Sequence, residues 1–319
     1  MPFPRIDPVA LDLPGPIDVR WYGLGYLLGF LTAYLVLRKL AKEGFVRMEP
    51  DAAGDLITAL VLGVILGGRV GYVLFYNFAD FARNPAQIIR IWEGGLSFHG
   101  GLLGVIVATW WFTRRNRIPF FSLGDGLALS IPFGIFFVRV ANFINGELYG
   151  RVAGADVPWA MRFPSDPAAT RLLGIGGMGM RDREQAIEAA YDSGAWDRVA
   201  AQVPLRHPSQ LYEALTEGLL LGLILWAVYA VTRRRGVRLP EGTFGGIFLV
   251  GYGLFRSFVE LFRQPDAQFT DAGDPVGTVL GPLTMGQTLS TLMVLGGIGI
   301  LVWSWRRGSP PAARTRVAG

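Results

Sequence analysis

The segment RVANFINGELYGR, Arg139 to Arg151, gathers an arginine, two asparagines (Asn142, Asn145) and a glutamate (Glu147) within little more than two helical turns. It closes on Gly150, where a helix can stop or the backbone can turn. A guanidinium offers a planar fork of donors and the amides offer both donors and acceptors, so this spacing suits the binding of an anion. Arg69 and Arg256 also lie inside apolar stretches, where a charge is costly and requires a partner or a ligand. Arg256 has Glu260 one turn on, so a mutually neutralising i,i+4 pair and an anion site both stand as readings. Arg139 has no acid one turn away in its own stretch, which favours anion binding. Arg69, in GGRVGY, is open between bracing its neighbours and serving a site.

A proton acceptor is offered by His99 in WEGGLSFHGGLLG, whose glycines are expected to let backbone approach the imidazole closely. A lone histidine inside an apolar stretch is more often structural. This chain has only two histidines, however, and this one lies at the depth of the arginines. His207, in RHPSQLYE, reads as a turn or interfacial residue. Tyr22 and Tyr252 fit either a site or the aromatic belt that membrane proteins carry at their interfaces. Cysteine is absent, which removes disulfides, thiolate metal sites and any mechanism using a thiol of the chain itself. A reacting thiol has to come from the substrate.

The elements that position these groups are set by composition. With 51% hydrophobic and 17% charged residues, the chain is too apolar for a soluble protein of 319 residues. Seven stretches can span a bilayer: about 21 to 40, 55 to 78, 95 to 113, 123 to 143, 211 to 231, 244 to 262 and 285 to 305. The fold expected is an all-α integral membrane protein, one catalytic domain over residues 1–319. The first 17 residues, with prolines at 2, 4 and 8 and one basic residue, are not expected to be a cleavable leader.

Basic residues choose the orientation. Arg38, Lys39, Lys42, Arg47, Arg114, Arg115, Arg117, Arg233, Arg234, Arg235, Arg238, Arg306, Arg307, Arg314 and Arg316 share one side, against Arg5, Arg20, Arg83, Arg90 and Arg263 on the other. The N-terminus is therefore expected in the periplasm and the C-terminus in the cytoplasm. The net charge of +5 is explained by this asymmetry, and nucleic acid is not an expected partner. The polar segment 147–207, between the fourth and fifth spans, becomes a periplasmic head. Within it, Arg183 to Val199 reads as a short amphipathic helix and LGIGGMGM as flexible connection.

At about 1.5 Å rise per residue, Arg139 and His99 lie about 6 Å inside the outer ends of their spans, Arg256 about 9 Å and Arg69 about 14 Å. Tyr22, Asn142, Asn145, Glu147, Tyr252 and Glu260 also come from outer parts or ends. Convergence in the periplasmic leaflet suits a site that admits a phospholipid sideways and meets a second substrate at the membrane surface. A transporter would spread its polar groups and carry an internal repeat, and none is visible. A serine protease would need Ser97, near His99, in a nucleophile motif. A metal-dependent headgroup transferase would need a cluster of intramembrane carboxylates, and Glu260 is read as the one acid well inside a span.

The Arg139 segment resembles the signature of bacterial prolipoprotein diacylglyceryl transferases, Gly-Arg-x-Gly-Asn-Phe-x-Asn-Gly-Glu with a closing Gly. RWYGLGYLLGF, GGRVGYVLFYNF, GGLSFHGGLLGV, RHPSQLYE and GYGLFRSFVELFRQPDAQF are similar to the family's other blocks, in its order and over nearly the full length. Val138 and Ala141 depart from it, standing where glycine is common. A methyl at Ala141 is expected to tighten helix packing and leave activity intact. The resemblance implies seven spans with a periplasmic head, in the bacterial inner membrane. It also implies phosphatidylglycerol and a prolipoprotein signal peptide with its lipobox cysteine as partners, and no cofactor or metal. Carried over residue by residue, it implies catalytic roles for Tyr22, His99, Arg139 and Arg256. It implies lipid-binding roles for Arg139, Asn142, Asn145, Glu147, Gly150, Tyr252, Arg256 and Glu260.

The implied reaction is alkyl transfer. The lipobox sulfur attacks the glycerol carbon next to the phosphate, forming a thioether and releasing glycerol phosphate. Arg139 and Arg256 would stabilise the leaving phosphate. Free cysteine titrates near about 8.5 and free histidine near about 6.5, so a neutral His99 can accept the thiol proton. Alternatively the arginines' field lowers the thiol's pKa and His99 orients lipid or helix.

Overall fold

The computed structural model describes residues 1–13, 18–75, 84–90, 95–265, 270, 274 and 277–308. Arg83, Arg314, Arg316, Asn77 and Phe78 lie outside the described residues. So do Tyr76 and Gly94, of the second and third family-like blocks, and 266–269, of the sixth. A helix stands at each of the seven expected places: α1 Trp21–Lys42, α2 Ala52–Phe75, α3 Phe98–Asn116, α4 Phe120–Ile144, and, after three short helices, α8 Ser209–Arg234, α9 Thr243–Val259 and α10 Met285–Arg307. Five of them, α1, α2, α4, α8 and α10, are long and apolar enough to cross a membrane by length and composition. Helix α9 is apolar but has only 17 residues. Leu27, Leu31 and Leu35 on α1 and Leu292, Leu295 and Ile298 on α10 are exposed, as side chains facing lipid would be.

The chain divides into two compact units. One comprises Met1–Gly29, Ile131–Val237 and Gly246–Trp303; the other comprises Phe30–Ser130, Arg238–Gly245 and the chain from Ser304.

In the second unit α2 and α3 pack through a seam of small residues. Gly63, Gly67 and Gly71 recur every four residues on α2 and face Gly100, Gly104 and Ala108 on α3. A Cβ on Gly104 would run into the Gly63 carbonyl, and one on Gly71 would lie 2.7 Å from Gly100 Cα. Backbones meet here as in small-xxx-small membrane pairs. The close backbone approach expected at the glycines near His99 is present, and the backbone that approaches Gly100 and Gly104 is that of α2. Ser97 caps α3, its Oγ accepting from Gly100 N at 3.2 Å, which is a structural duty and not that of a nucleophile.

Arg69 is resolved as a clasp. It is buried, and its guanidinium donates to the carbonyls of Gln87 (2.6 Å), Ile88 (2.8 Å), Gly95 (3.0 Å) and Arg90 (3.3 Å). Its donors thus hold the 3₁₀ turn Pro85–Ile89 and the approach to α3. Asp125 of α4 makes a comparable closure, its carboxylate accepting from the backbone N–H groups of Gly242 (2.7 Å) and Gly245 (2.9 Å) at the start of α9.

The first unit holds the segment between α4 and α8. Its helices are α5 Pro167–Leu172, α6 Met180–Asp192 and α7 Ala195–Val199. The single helix expected over 183–199 is two, because Gly194 turns the backbone at φ 68°. Ala169, Trp196 and Val203 form a small core with Leu173 and Tyr191 against it. The N-terminal residues are part of this assembly, which the sequence reading did not foresee. Met1's amino group donates to the Ala160 carbonyl (2.6 Å), and the Phe3 ring lies 4.9 Å from that of Phe163. Strands β1 Val9–Leu11 and β2 Val19–Arg20 pair antiparallel. Arg20 forms a two-pronged bond to Glu184 (2.8 and 2.9 Å), while Arg5 reaches Glu188 and Asp192.

Candidate active site

A carboxylate that the sequence reading overlooked organises the site. Glu213, near the start of α8, is fully buried. Arg139 of α4 places Nε 2.6 Å from its Oε2. Arg256 of α9 donates from Nη1 to its Oε1 at 2.9 Å, and Arg263, just beyond α9, brings Nε to 3.5 Å of the same oxygen. The expectation that Arg139 lacks an acidic partner is therefore corrected: the partner comes from another helix. Arg256 also pairs with Glu260 at 2.8 Å, as the i,i+4 spacing anticipated.

Glu260 is not the one intramembrane acid. Glu217, one turn after Glu213, is fully buried as well. The Tyr252 hydroxyl faces its carboxylate, yet among the described residues neither oxygen has a partner in hydrogen-bond geometry. Both acids stood inside the fifth apolar stretch. Their cost there, equal in kind to that of the arginines, was the signal that could have found them.

Local structure explains the convergence. Residues Ala214–Leu220 of α8 form a π-helical run, a widened turn of the kind that re-aims side chains at functional sites. Gly218 lies so close to α4 that a Cβ would sit 2.8 Å from Phe136 Cβ, which lets α8 bring Glu213 to Arg139. Glu260 is fixed from a third direction. Thr284 Oγ1 donates to its Oε1 at 3.1 Å while accepting from Gln287 N at 3.2 Å, and Gln287 Oε1 accepts from Thr284 N at 3.2 Å. This reciprocal cap ties the start of α10 to the carboxylate. Gly286 completes the fit, since a Cβ there would lie 2.5 Å from Glu260 Cδ.

Above the ion pairs the signature forms one network. Arg139 Nη1 donates to Asn142 Oδ1 (3.3 Å), and Asn142 Nδ2 to Glu147 Oε1 (2.8 Å), which Asn145 Nδ2 also approaches at 3.4 Å. Leu148 adopts a left-handed conformation (φ 57°), a costly state for a branched residue. It is held by Ser209, whose Oγ donates to the Leu148 carbonyl (3.0 Å), and by Gln210, whose Nε2 donates to the Glu147 carbonyl (2.5 Å). Neither Ser209 nor Gln210 was singled out by sequence. Gly150 donates its N–H to the His207 carbonyl at 2.7 Å, and a Cβ there would strike the Phe262 carbonyl. Its role is close approach. Next to it, burial pushes the Tyr149 phenol up to about 12 and lowers the His207 imidazole.

Tyr22 is partly exposed, its hydroxyl 3.3 Å from that of Tyr26 and within electrostatic reach of Glu147 and Arg139. The first unit thus brings together Tyr22, Arg139, Asn142, Asn145, Glu147, Tyr252, Arg256 and Glu260, with Gly150 at the edge. His99 stands on α3 in the second unit. Its side chain is exposed, its ring meets Phe98 edge-on at 5.7 Å, and it has no hydrogen-bond partner among the described residues. Ala141, the departure from the family pattern, is buried opposite Gly25 of α1, where a Cβ would come to 3.4 Å of its methyl. Glycine on α1 leaves the room that alanine on α4 takes up.

The prolipoprotein diacylglyceryl transferase family matches residues 8–303 of the chain. This chain belongs to that family. The phosphatidylglycerol–prolipoprotein diacylglyceryl transferase of Yersinia enterocolitica is 44% identical over 308 residues, covering 96% of each chain. The protein of the same name from Serratia proteamaculans is 45% identical over 307 residues, covering 96% of this chain and 95% of its own. That of Yersinia pestis strain Pestoides F is 44% identical over 308 residues, again covering 96% of both. Family membership and five apolar helices make the chain a multi-pass membrane protein, and a transferase of this family carries the ion-pair cluster in its helical body.

Proposed function

We propose that the chain transfers the sn-1,2-diacylglyceryl group from phosphatidylglycerol to the lipobox cysteine thiol of a prolipoprotein, the first step of lipoprotein maturation. Near-full-length similarity to enzymes of that name supports the reading. The observation that carries it is the pair Arg139 and Arg256, delivered by two helices and held by the shared Glu213 at 2.6 and 2.9 Å. Guanidiniums held in this way need little rearrangement when a phosphate arrives, and each donor aimed at developing charge contributes about 2.7–4 kcal/mol.

In the reaction the cysteine sulfur forms a bond to the glycerol carbon. The carbon–oxygen bond to phosphate breaks, its electron pair goes to the leaving oxygen, and glycerol phosphate departs. The thiol proton passes to a base, and the family resemblance alone supports His99 in that role. Arg139 and Arg256 take up the charge on phosphate. Asn142, Asn145, Glu147 and Gly150 shape the headgroup side, Tyr22 and Tyr252 border it, and Glu260 aims Arg256. The reading takes residues 1–319 as one transmembrane catalytic domain of seven spans, with residues 147–207 inserted as a periplasmic head. The N-terminus lies in the periplasm of a bacterial inner membrane and the site opens to the outer leaflet, an orientation supported by the basic residues at α1, α3, α8 and α10.

The deciding experiment combines purified protein, phosphatidylglycerol and a lipobox peptide bearing Cys or Ser, read by mass spectrometry. A diacylglyceryl mass on the Cys peptide alone, with glycerol phosphate released, is the expected result. Folded protein that leaves both peptides unmodified overturns the proposal.

A further inference from the structure

A cleft of about 300 Å³ opens beside the signature, between Glu147–Tyr149 and Arg263–Pro265, with Arg183 of α6 reaching into its lining. The volume is at the lower end of the roughly 300–1,000 Å³ of small-molecule sites. Two guanidiniums and one carboxylate, Glu147, line it, and that carboxylate already accepts from the Asn142 amide. Among the described residues Arg183 makes one hydrogen bond, from Nη2 to the Met178 carbonyl at 3.0 Å, and its buried Nε has no acceptor. A buried guanidinium N–H without an acceptor is costly, and a ligand oxygen would relieve it. Arg263 links the cleft to the catalytic cluster, since its Nε lies 3.5 Å from Glu213. Gln264 is held in the lining by Arg206 at 3.1 Å.

We infer that this cleft is a phosphoglycerol site, taking the headgroup of the lipid or the glycerol phosphate freed from it, with Arg183 as a binding residue. The inference rests on the transferase reading. An anion leaving Arg139 and Arg256 meets Arg263 next and Arg183 beyond it. The acids of α6 that pair with the N-terminal segment, Glu184, Glu188 and Asp192, are occupied by Arg20 and Arg5.

The test uses the full chain in detergent and the variants Arg183→Gln, Arg183→Lys and, as control, Arg181→Gln, whose side chain pairs with Asp18 at 3.1 Å. Binding of sn-glycerol 1-phosphate is followed by ³¹P NMR, and its inhibition of transfer is measured against phosphatidylglycerol. Arg183→Gln is expected to weaken glycerol phosphate binding by about tenfold and Arg183→Lys by less, with Arg181→Gln matching the parent. A rise in the inhibition constant alone assigns the cleft to the free product, and a rise in KM for the lipid alone assigns it to the headgroup. Equal binding, inhibition and KM in the parent and both folded Arg183 variants overturn the inference. If the parent forms no thioether, the transferase reading fails, and the NMR titration still decides whether Arg183 binds phosphoglycerol.

Discussion

Arg139 and Glu213 form an ion pair between α4 and α8, Nε to Oε2 at 2.6 Å, with the carboxylate fully buried. Arg256 and Arg263 approach the same carboxylate, so three cations converge on one anion, with Arg256 also paired to Glu260. Removing one partner of a buried pair costs about 3–5 kcal/mol, because the survivors keep their charge without compensation.

Glu213→Gln keeps the shape and removes the charge. Transfer is expected to fall by about a hundredfold or more, with a lowered thermal midpoint. Parent-like values in both measurements would mean that Glu213 does not organise the arginines.

Arg139→Lys tests the geometry of the cation. Arg139 spends Nε on Glu213 and Nη1 on Asn142, a division that a single ammonium cannot reproduce. Loss of about a hundredfold in kcat/KM is expected, and full activity would remove the need for a planar fork.

His99→Gln separates base from bystander. As the proton acceptor, His99 contributes about 10²–10⁴ in rate, and the acidic limb of the pH profile disappears with it. Near-normal turnover with an unchanged profile would remove it from that role.

The glycine seam predicts stability rather than chemistry. Gly63→Ala places a methyl 2.6 Å from the Gly104 carbonyl, whereas Gly124 has no neighbour within 4 Å. Overpacking of this kind costs about 1–3 kcal/mol. Gly63→Ala should therefore lower the thermal midpoint and Gly124→Ala should not; equal midpoints would contradict the packing.

His207 carries a pH prediction. Burial lowers its pKa in the folded chain, so the unfolded chain takes up the proton first as the medium is acidified. Its contribution is complete above the unfolded value of about 6.5 and is lost as pH falls from there through the folded value. Thermal midpoints between about pH 5 and 8 should decline less steeply on the acid side in His207→Gln. Identical slopes would refute it.

Much of the helical body was legible along the chain, because a bilayer span is a local property. Twenty apolar residues announce themselves wherever they fold. The Arg256–Glu260 pair was legible for the same reason, since i,i+4 neighbours share a face whatever surrounds them. Glu213 was missed although it lies inside an apolar stretch, because its meaning depends on arginines contributed by two other helices.

By itself the sequence determined the apolar stretches, the polar signature from Arg139 to Gly150, the absence of an internal thiol and the family. Each is set by residue type and spacing along one segment. Tertiary structure alone decided which charge neutralises which, that Arg69 closes on the backbone carbonyls leading to α3, that α2 is the helix meeting the glycines beside His99, and that the N-terminal residues bind α6. Those outcomes depend on distances between segments remote in sequence. A buried charge or a missing Cβ declares only that something must lie nearby, and the packed chain determines what it is.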